Sequence, residues 1–326
     1  MRIAVTGANG HVGVNLCKAL LEQGHEVRAF CHKNSNGIKN LDVKMIQGDL
    51  LDRTSLNLLL DKVEVVYHLA ARISITGDPD GMVSRINAEG TRNILDCAME
   101  SGVKRFIHFS SIHAFQQQPH NQELDEKRPL VGTKGFAYDI SKASGERSVY
   151  ESVKKGLNAI ILSPTAITGP SDPQPSLIGN AVIQIYNKRI PSLVPGGYNF
   201  VDVRDVVSGA IAAIDHGRTG EKYLLAGHYH TLKEFSSLIQ LHSGRTTVKT
   251  VLPFWLARVG LPFIHLYSRI TGNEPLYTSE SLTIIGEGST KISNTKAKNE
   301  LGFNPRPFSD TMRDLLEWFR QNGFIK

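Results

Sequence analysis

A tyrosine and a lysine stand one helical turn apart in the segment Tyr-Asp-Ile-Ser-Lys, residues 138–142. A predicted helix over 137–155 would place Tyr138 and Lys142 on one face, because side chains four residues apart are neighbours on a helix surface. A tyrosine with an ordinary pKa of about 10 is a weak base at neutral pH, and a nearby ammonium group stabilises its ionised form. The pair therefore predicts proton transfer at a carbonyl or hydroxyl oxygen, with Tyr138 as the acid or base.

Two serines, Ser110 and Ser111, end a short apolar run that begins at residue 104. The run predicts a buried strand, and the carboxyl ends of parallel strands meet at the crevice where ligands bind. A serine hydroxyl there can hold a substrate oxygen beside the tyrosine. Both serines are candidates for this role.

A glycine-rich turn, TGANGHVG, follows the first predicted strand at residues 2–6. Gly7 permits a tight turn, Gly10 lets the backbone approach a pyrophosphate, and Gly13 lets the next helix pack against the strand. The start of that helix offers free N–H groups and the positive end of its dipole to phosphates. Because the glycines stand between a strand and a helix, the context that this pattern requires, the loop predicts a dinucleotide cofactor.

The second predicted strand decides which dinucleotide is expected. NAD sites place an acidic residue about 20 residues after the loop, where it binds the ribose 2′-hydroxyl. Here the strand ends in Cys31-His32-Lys33, and no acidic residue follows before Asp42. Lys33, with His32, could instead pair with a 2′-phosphate. NADP(H) is therefore preferred, and NAD(H) stays possible.

A parallel sheet is needed to bring these side chains together. Apolar runs alternate with helix-like patterns through the first half of the chain, which is typical of βαβ units. The predicted strands are 2–6, 26–31, 43–47, 63–70, 104–110 and 157–163, and the predicted helices are 11–23, 53–61, 83–101 and 137–155. The predicted fold is α/β: a Rossmann doubly wound parallel sheet with a smaller, mainly helical C-terminal substrate domain.

The second half of the chain is mostly helical, with turn-rich connectors. We expect an NAD(P)-binding domain at 1–165 and a substrate-binding or lid domain at 166–196 and 226–326. The pattern of 199–225 is strand, helix and strand. The chain is therefore expected to re-enter the cofactor domain at about 197–225.

Composition excludes several other classes of protein. With 326 residues, 40% of them hydrophobic and 21% charged, the chain can bury a sizeable core. The net charge of +6 comes from dispersed basic residues, which disfavours a nucleic-acid partner. Three cysteines cannot build a disulfide framework, and no histidine spacing favours a metal site. The lack of a leader or of a long apolar stretch predicts a cytoplasmic protein with no integral membrane segment.

The sequence resembles the extended short-chain dehydrogenase/reductase family over essentially its whole length. Within that family it is most similar to dihydroflavonol 4-reductase-like and 3β-hydroxysteroid dehydrogenase-like members. The matching motifs are TGANGHVG (6–13), GDL (48–50), HLAA (68–71), NAEGT around Asn87, FSS (109–111), YDISK (138–142), SPTAITGP (163–170) and NFVDVRDV (199–206).

The resemblance implies roles for individual residues. Tyr138 is the acid or base, Lys142 lowers its pKa and binds the nicotinamide ribose, and Ser111, with Ser110 as the alternative, orients the substrate carbonyl. Asn87 supports the proton relay or the central strands. The implied cofactor contacts are Gly7, Asn9, Gly10, His11, Val12, Gly13, His32, Lys33, Asp49, Leu50, Leu69, Ala70, Ala71, Asn87, Ser110, Tyr138, Lys142, Pro164 and Thr165. The expected substrate contacts are Ile112, His113, Thr165 and Tyr198. Family dimers, formed through helices 83–101 and 137–155, imply a homodimer.

The chain departs from two branches of the family. The 4,6-dehydratase branch carries an Asp-Glu pair after its serine or threonine, whereas Ile112 and His113 stand here. Nucleotide-sugar epimerases usually carry an arginine where Tyr198 stands. Dehydration is therefore disfavoured, and a UDP-sugar substrate is in doubt.

The sequence thus predicts an NADP(H)-dependent enzyme that interconverts a carbonyl group and a secondary alcohol on a small-molecule substrate. One alternative is a redox-neutral nucleotide-sugar epimerase with tightly bound cofactor. A second alternative is a non-catalytic sensor of NADP, which the presence of both Tyr138 and Lys142 disfavours.

Overall fold

Seven parallel strands form the central sheet in the order β3-β2-β1-β4-β5-β6-β9. The computed structural model describes residues 1–32, 34–271 and 277–326, with 263–271 described by backbone only. The strands of this sheet are β1 (Arg2–Thr6), β2 (Glu26–Cys31), β3 (Lys44–Gln47), β4 (Val65–His68), β5 (Arg105–Phe109), β6 (Ala159–Pro164) and β9 (Lys222–Leu225). The strand order reverses between β1 and β4, and a crevice opens at the carboxyl ends of the strands where such a reversal occurs.

Helices cover both faces of the sheet because successive side chains of a strand point to opposite faces. Ile3 and Val5 of β1 pack against one set of helices, and Ala4 packs against the other. The first face carries α1 (His11–Glu22), α7 (Val203–His216) and α11 (Thr295–Leu301), and the second carries α2 (Arg53–Leu60), α4 (Thr91–Glu100) and α5 (Ala137–Lys154). The doubly wound α/β fold predicted from the sequence is confirmed.

A second core belongs to a smaller, mainly helical part of the chain. Its three-stranded sheet has the order β10-β8-β7, with β7 at Ala166–Thr168, β8 at Gly197–Asp202 and β10 at His228–Thr231. Its helices are α6 (Leu177–Tyr186), α8 (Leu232–Ser243), α9 (Phe254–Thr271), α10 (Ser279–Glu287) and α12 (Phe308–Gln321). Phe200, Phe235 and Phe308 stack at its centre, with ring centroids 4.8–6.1 Å apart.

The segment expected to re-enter the cofactor domain divides between the two sheets. The strand, helix and strand all form, and β9 pairs in parallel with β6 at the edge of the large sheet. β8 instead pairs with β7 and β10 in the small sheet. The sequence pattern did not show that β8 and β9 belong to different sheets, because both strands are short and apolar.

The helix expected over 83–101 is interrupted. It begins as the short α3 (Met82–Ser84), continues as a π-helical turn over Arg85–Gly90 and becomes regular only in α4. The π turn contains Asn87, whose contacts are described below. In the described parts of the chain, no helix is long and apolar enough to cross a membrane.

Candidate active site

The loop after β1 has the geometry that a bound phosphate requires. Gly7 has a φ of +69°, and a side chain there would lie 2.8 Å from the amide nitrogen of Ala70. A side chain at Gly13 would overlap the carbonyl oxygen of Gly7. Gly10 begins α1 and has no side chain with which to cap it. The first N–H groups of α1 are therefore free for an anionic ligand at the carboxyl edge of the sheet.

A cavity of about 2150 Å³ runs from this loop to the tyrosine–lysine pair and into the small sheet. Ordinary ligand pockets measure about 300–1,000 Å³, so this cavity has room for a dinucleotide and a second molecule. The sequence-predicted residues along its wall are Gly7, Asn9, Gly10, His11, Val12, Gly13, His32, Asp49, Leu50, Leu69, Ala70, Ala71, Ser110, Ser111, Ile112, His113, Tyr138, Lys142, Pro164, Thr165 and Tyr198.

Tyr138 lies in the first turn of α5 and shares the cavity wall with Ser111, two residues beyond β5. Burial raises the pKa of Tyr138 to about 12, the charge of Asp139 adds to this rise, and the hydrogen bond with Ser111 opposes it. Tyr138 is therefore protonated at neutral pH in the protein alone. A protonated phenol is the form that can give a proton to a substrate oxygen.

Lys142 lies one turn further along α5 and is 5% exposed. Its Nζ donates to the carbonyl oxygen of Phe109, 2.7 Å away. Burial lowers the pKa of Lys142 to about 8, and the carboxylate of Glu146 opposes this effect. The lysine is thus poised between its charged and neutral forms near physiological pH.

A histidine and an acidic residue adjoin the tyrosine, and a second acidic residue lies near these two. The Nδ1 atom of His113 lies 3.4 Å from a carboxylate oxygen of Asp139, and the His113 ring meets the Tyr138 ring edge-on with centroids 6.0 Å apart. Glu280, from α10, is buried in the cavity wall, and burial and Asp139 raise its pKa. Sequence reasoning singled out His113 but missed Asp139, which stands inside the YDISK motif without an assigned role, and Glu280, which stands in no motif.

Asn87 lies behind the cavity wall rather than in it. Its side-chain amide donates to the carbonyl oxygen of Arg72 and to Ser141 Oγ, both at 2.9 Å, and its Oδ1 accepts from the Arg72 amide at 2.7 Å. Asn87 thus joins the chain beyond β4 to α5. These bonds fit the supporting role, and the cofactor contact that the family resemblance implied stays a prediction.

At the end of the cavity beside the glycine loop, His32 faces an acidic residue. Its Nε2 lies 3.5 Å from Asp49 Oδ2, and both side chains are exposed. Asn9 accepts a hydrogen bond from the Gly37 amide at 2.6 Å and so ties the glycine loop to the chain beyond β2. Lys33, the other predicted partner of a 2′-phosphate, lies outside the described residues.

The end of the cavity beside the small sheet is lined mainly by apolar side chains of the small core. Tyr198 packs edge-on against Phe200 with centroids 5.8 Å apart, and burial raises its pKa. Thr165 uses its hydroxyl to donate to Asn199 Oδ1 at 2.9 Å. Further apolar lining comes from Ile178, Ile183, Leu193, Val194, Leu252, Leu256 and Ile285. In the described ranges, no group of three or more histidine, cysteine or acidic side chains could hold a metal ion.

Comparison with known proteins assigns the chain to a family. Residues 3–226 match the model of the NAD dependent epimerase/dehydratase family. Sterol demethylase protein B of Methylococcus capsulatus is 32% identical, with 100% of each chain covered. A putative dihydroflavonol 4-reductase of Synechocystis is 30% identical and covers 99% of this chain and 95% of its own. The crystal structure of gox2253 has a TM-score of 0.84 at 32% identity and covers 99% of both chains.

Proposed function

Because the chain belongs to the NAD-dependent epimerase/dehydratase family, we propose that it is an NADP(H)-dependent oxidoreductase that interconverts a carbonyl group and a secondary alcohol. The observation that carries the proposal is the shared cavity, which has an open helix start at one end and Ser111, Tyr138 and Lys142 further along its wall. A relative named as a putative dihydroflavonol 4-reductase supports reductive chemistry.

The residues present fit a dinucleotide. The uncapped start of α1 and the glycine cradle would hold the pyrophosphate, Asp49 and Leu50 would flank the adenosine end, and Lys142 would bind the nicotinamide ribose. When bound, the nicotinamide supplies or accepts the hydride. The cavity wall then keeps the reacting groups away from bulk water, which strengthens the electrostatic interactions inside it.

Side chains of the cavity wall transfer the proton to the substrate oxygen. In reduction, Ser111 donates a hydrogen bond to the substrate oxygen, and Tyr138 gives that oxygen its proton as negative charge develops. The ammonium of Lys142 stabilises the phenolate that Tyr138 becomes. The raised pKa keeps Tyr138 protonated at neutral pH, which is the form that gives a proton in the direction of reduction.

The substrate is proposed to be a small molecule with an apolar body. Tyr198 and the neighbouring aliphatic side chains offer apolar contact area, and Arg189 is the cation of the cavity wall that lies among them in sequence. The chain is also proposed to divide into a cofactor part and a substrate part near residues 165, 197 and 225, and to form a homodimer. Limited proteolysis and the molar mass in solution test these two statements.

Replacing Tyr138 by phenylalanine tests the chemistry. Tyr138→Phe should lower turnover of a carbonyl panel with NADPH by about 10²-fold or more, while NADPH binding stays intact. Tyr229→Phe, on β10 outside the cavity, is the matched control and should retain activity. Undiminished turnover in Tyr138→Phe would refute the role of Tyr138.

The same assay separates the alternatives. A redox-neutral epimerase would invert a substrate carbinol without net consumption of NADPH. A non-catalytic sensor would bind NADPH and turn over no member of the panel.

Cofactor choice is tested by binding. We expect the wild type to bind NADPH more tightly than NADH, and His32→Ala and Lys33→Ala to narrow that difference by weakening NADPH binding alone. Tighter binding of NADH by the wild type would contradict the proposed preference.

A further inference from the structure

A completely buried carboxylate lies one helical turn beyond Lys142. Glu146 has no exposed surface, and its spacing from Lys142 places the two side chains on one face of α5. Its Oε1 atom lies 3.5 Å from Ser163 Oγ on β6. Burying an ion costs several kcal/mol unless it is paired, so a fully buried glutamate needs a compensating partner.

That partner comes from a distant part of the chain. Lys222, the first residue of β9, places its Nζ 3.5 Å from Glu146 Oε2 and 4.4 Å from the centroid of the Phe115 ring. Its side chain is 13% exposed. Glu146 therefore has a lysine on each side, Lys142 on its own helix and Lys222 on the edge strand.

The other titratable groups near Lys142 carry no compensating charge. His68 on β4 and His108 on β5 are buried, and both burial and the charge of Lys142 lower their pKa values, that of His68 to about 3. Both rings are neutral at physiological pH. Tyr138, on the same helix, is protonated. Of the described groups facing Lys142, Glu146 is the carboxylate that opposes its loss of a proton.

We propose that Glu146 and Lys222 are positioning residues that together set how tightly Lys142, beside Tyr138, holds its proton. Burial raises the pKa of Glu146, and the charges of Lys222 and Lys142 oppose that rise and favour its carboxylate form. In that form Glu146 supplies the negative charge that a buried ammonium needs. Lys222 takes a share of that negative charge, so that the three groups together present one net positive charge toward the phenol. With Glu146 alone, the field of Lys142 at Tyr138 would be largely cancelled. The catalytic meaning of this arrangement rests on the proposed oxidoreductase function, but the charge coupling itself does not.

The pKa of Lys142 can be measured without any enzymatic assay. Protein labelled with ¹³C at lysine Cε is titrated by NMR, and the Lys142 signal is identified by its loss in Lys142→Met. Glu146→Gln should lower the pKa of Lys142 by about one pH unit or more. Lys222→Met should raise it, because the remaining carboxylate then faces Lys142 alone. Glu151→Gln, an exposed position on the same helix, should leave it unchanged.

A second variant covers the case in which Glu146→Gln, with Lys222 left unpaired, does not fold. Glu146→Gln combined with Lys222→Met removes both charges, and it should lower the pKa of Lys142 because Glu146, one helical turn away, is the charge that opposes loss of the Lys142 proton. An unchanged Lys142 pKa in the folded double variant, or a lower one in Lys222→Met, would overturn the proposal.

The alkaline limb of the pH profile adds a readout that a purely structural role would not move. With NADPH and a reducible carbonyl, the limb should move to lower pH in the double variant and to higher pH in Lys222→Met. Glu146→Asp should restore part of the wild-type profile. If no carbonyl is reduced by the wild type, the proposed function fails, whereas the NMR shifts still decide the coupling between Glu146, Lys142 and Lys222.

Discussion

At the scale of single residues, the cavity holds a proton donor and a cation whose protonation is shifted in opposite directions. Burial makes Tyr138 hold its proton more tightly and makes Lys142 hold its proton less tightly. Reduction needs both protons in place at the start of the reaction. The working pH range is therefore set by Lys142, which loses its proton first.

The pH dependence of reduction should show this. With a Lys142 pKa of about 8, the ammonium is present below that pH and lost above it. We expect kcat/KM for reduction to hold steady below about pH 8 and to fall above it. Arginine keeps its charge up to a pKa of about 12 or more. The alkaline fall should therefore move to higher pH in Lys142→Arg, even where the absolute rate drops. An alkaline fall at the same pH in both proteins would assign it to another group.

At the scale of elements, two glycines of the turn between β1 and α1 have different roles. Gly13 is needed for packing, because a side chain there would overlap the Gly7 carbonyl oxygen. Gly10 has more room, since a side chain there would lie 3.4 Å from the same oxygen. Its place at the start of α1 matters for the approach of a phosphate.

Alanine at Gly10 should therefore weaken cofactor binding, whereas alanine at Gly13 should lower the stability of the fold. Gly10→Ala is expected to fold with a free energy of unfolding close to the wild type but to bind NADPH more weakly. Gly13→Ala is expected to lower the free energy of unfolding by about 1–3 kcal/mol, the usual cost of overpacking. Gly132→Ala, in open space, is the control. Urea unfolding and cofactor titration measure the two effects, and normal NADPH binding by Gly10→Ala would argue against a pyrophosphate at this turn.

The sequence predicted elements well where local pattern and position agreed. The glycine loop, the strand that precedes Ser110 and Ser111 and the helix of Tyr138 and Lys142 all form near their predicted bounds. The roles of these residues stay predictions. The pairing of Lys222 with Glu146 had no local signal, because it depends on β9 pairing with β6 rather than on spacing along the chain. The π turn around Asn87 was hidden for a similar reason: Arg72 and Ser141 become its neighbours only in the folded chain.

At the scale of the whole molecule, a network of ion pairs joins the two cores. Asp202, at the end of β8, is 2% exposed and accepts hydrogen bonds from the amide and guanidinium of Arg204. Arg204 also reaches Asp314 on α12 at 2.7 Å, and Arg306 lies 3.7 Å from Asp202 and 2.7 Å from Asp205. The network therefore connects the small sheet, helix α7 and the C-terminal helix.

Removing the central carboxylate should destabilise the fold. Asp202→Asn removes one carboxylate partner of Arg204 and of Arg306, which keep Asp314 and Asp205, and weakening charged hydrogen bonds at a buried group costs about 1–3 kcal/mol. Glu26→Gln, in the exposed pair with Arg2, should cost less than about 1 kcal/mol.

Burial opposes ionisation of Asp202, but the hydrogen bonds from Arg204 outweigh it and lower the pKa of Asp202. The stabilisation is therefore present above the unfolded pKa of about 4 and lost as the pH falls through the folded value. Urea unfolding at neutral and acid pH checks both statements, and equal losses in the two variants would remove Asp202 from this role.

The place of β9 in the sheet also has a consequence for the order in which the protein is made. Ribosomes add about 5–20 residues per second, so the roughly 75 residues between Glu146 and Lys222 take about 4–15 s to appear. Throughout that interval the glutamate lacks its distant cation, and from the time β6 has been made until β9 follows, β6 has an unpaired edge. An unpaired strand edge is a template for wrong partners. The emergence of a single short strand from the ribosome thus both closes the sheet and completes the charge balance behind Tyr138.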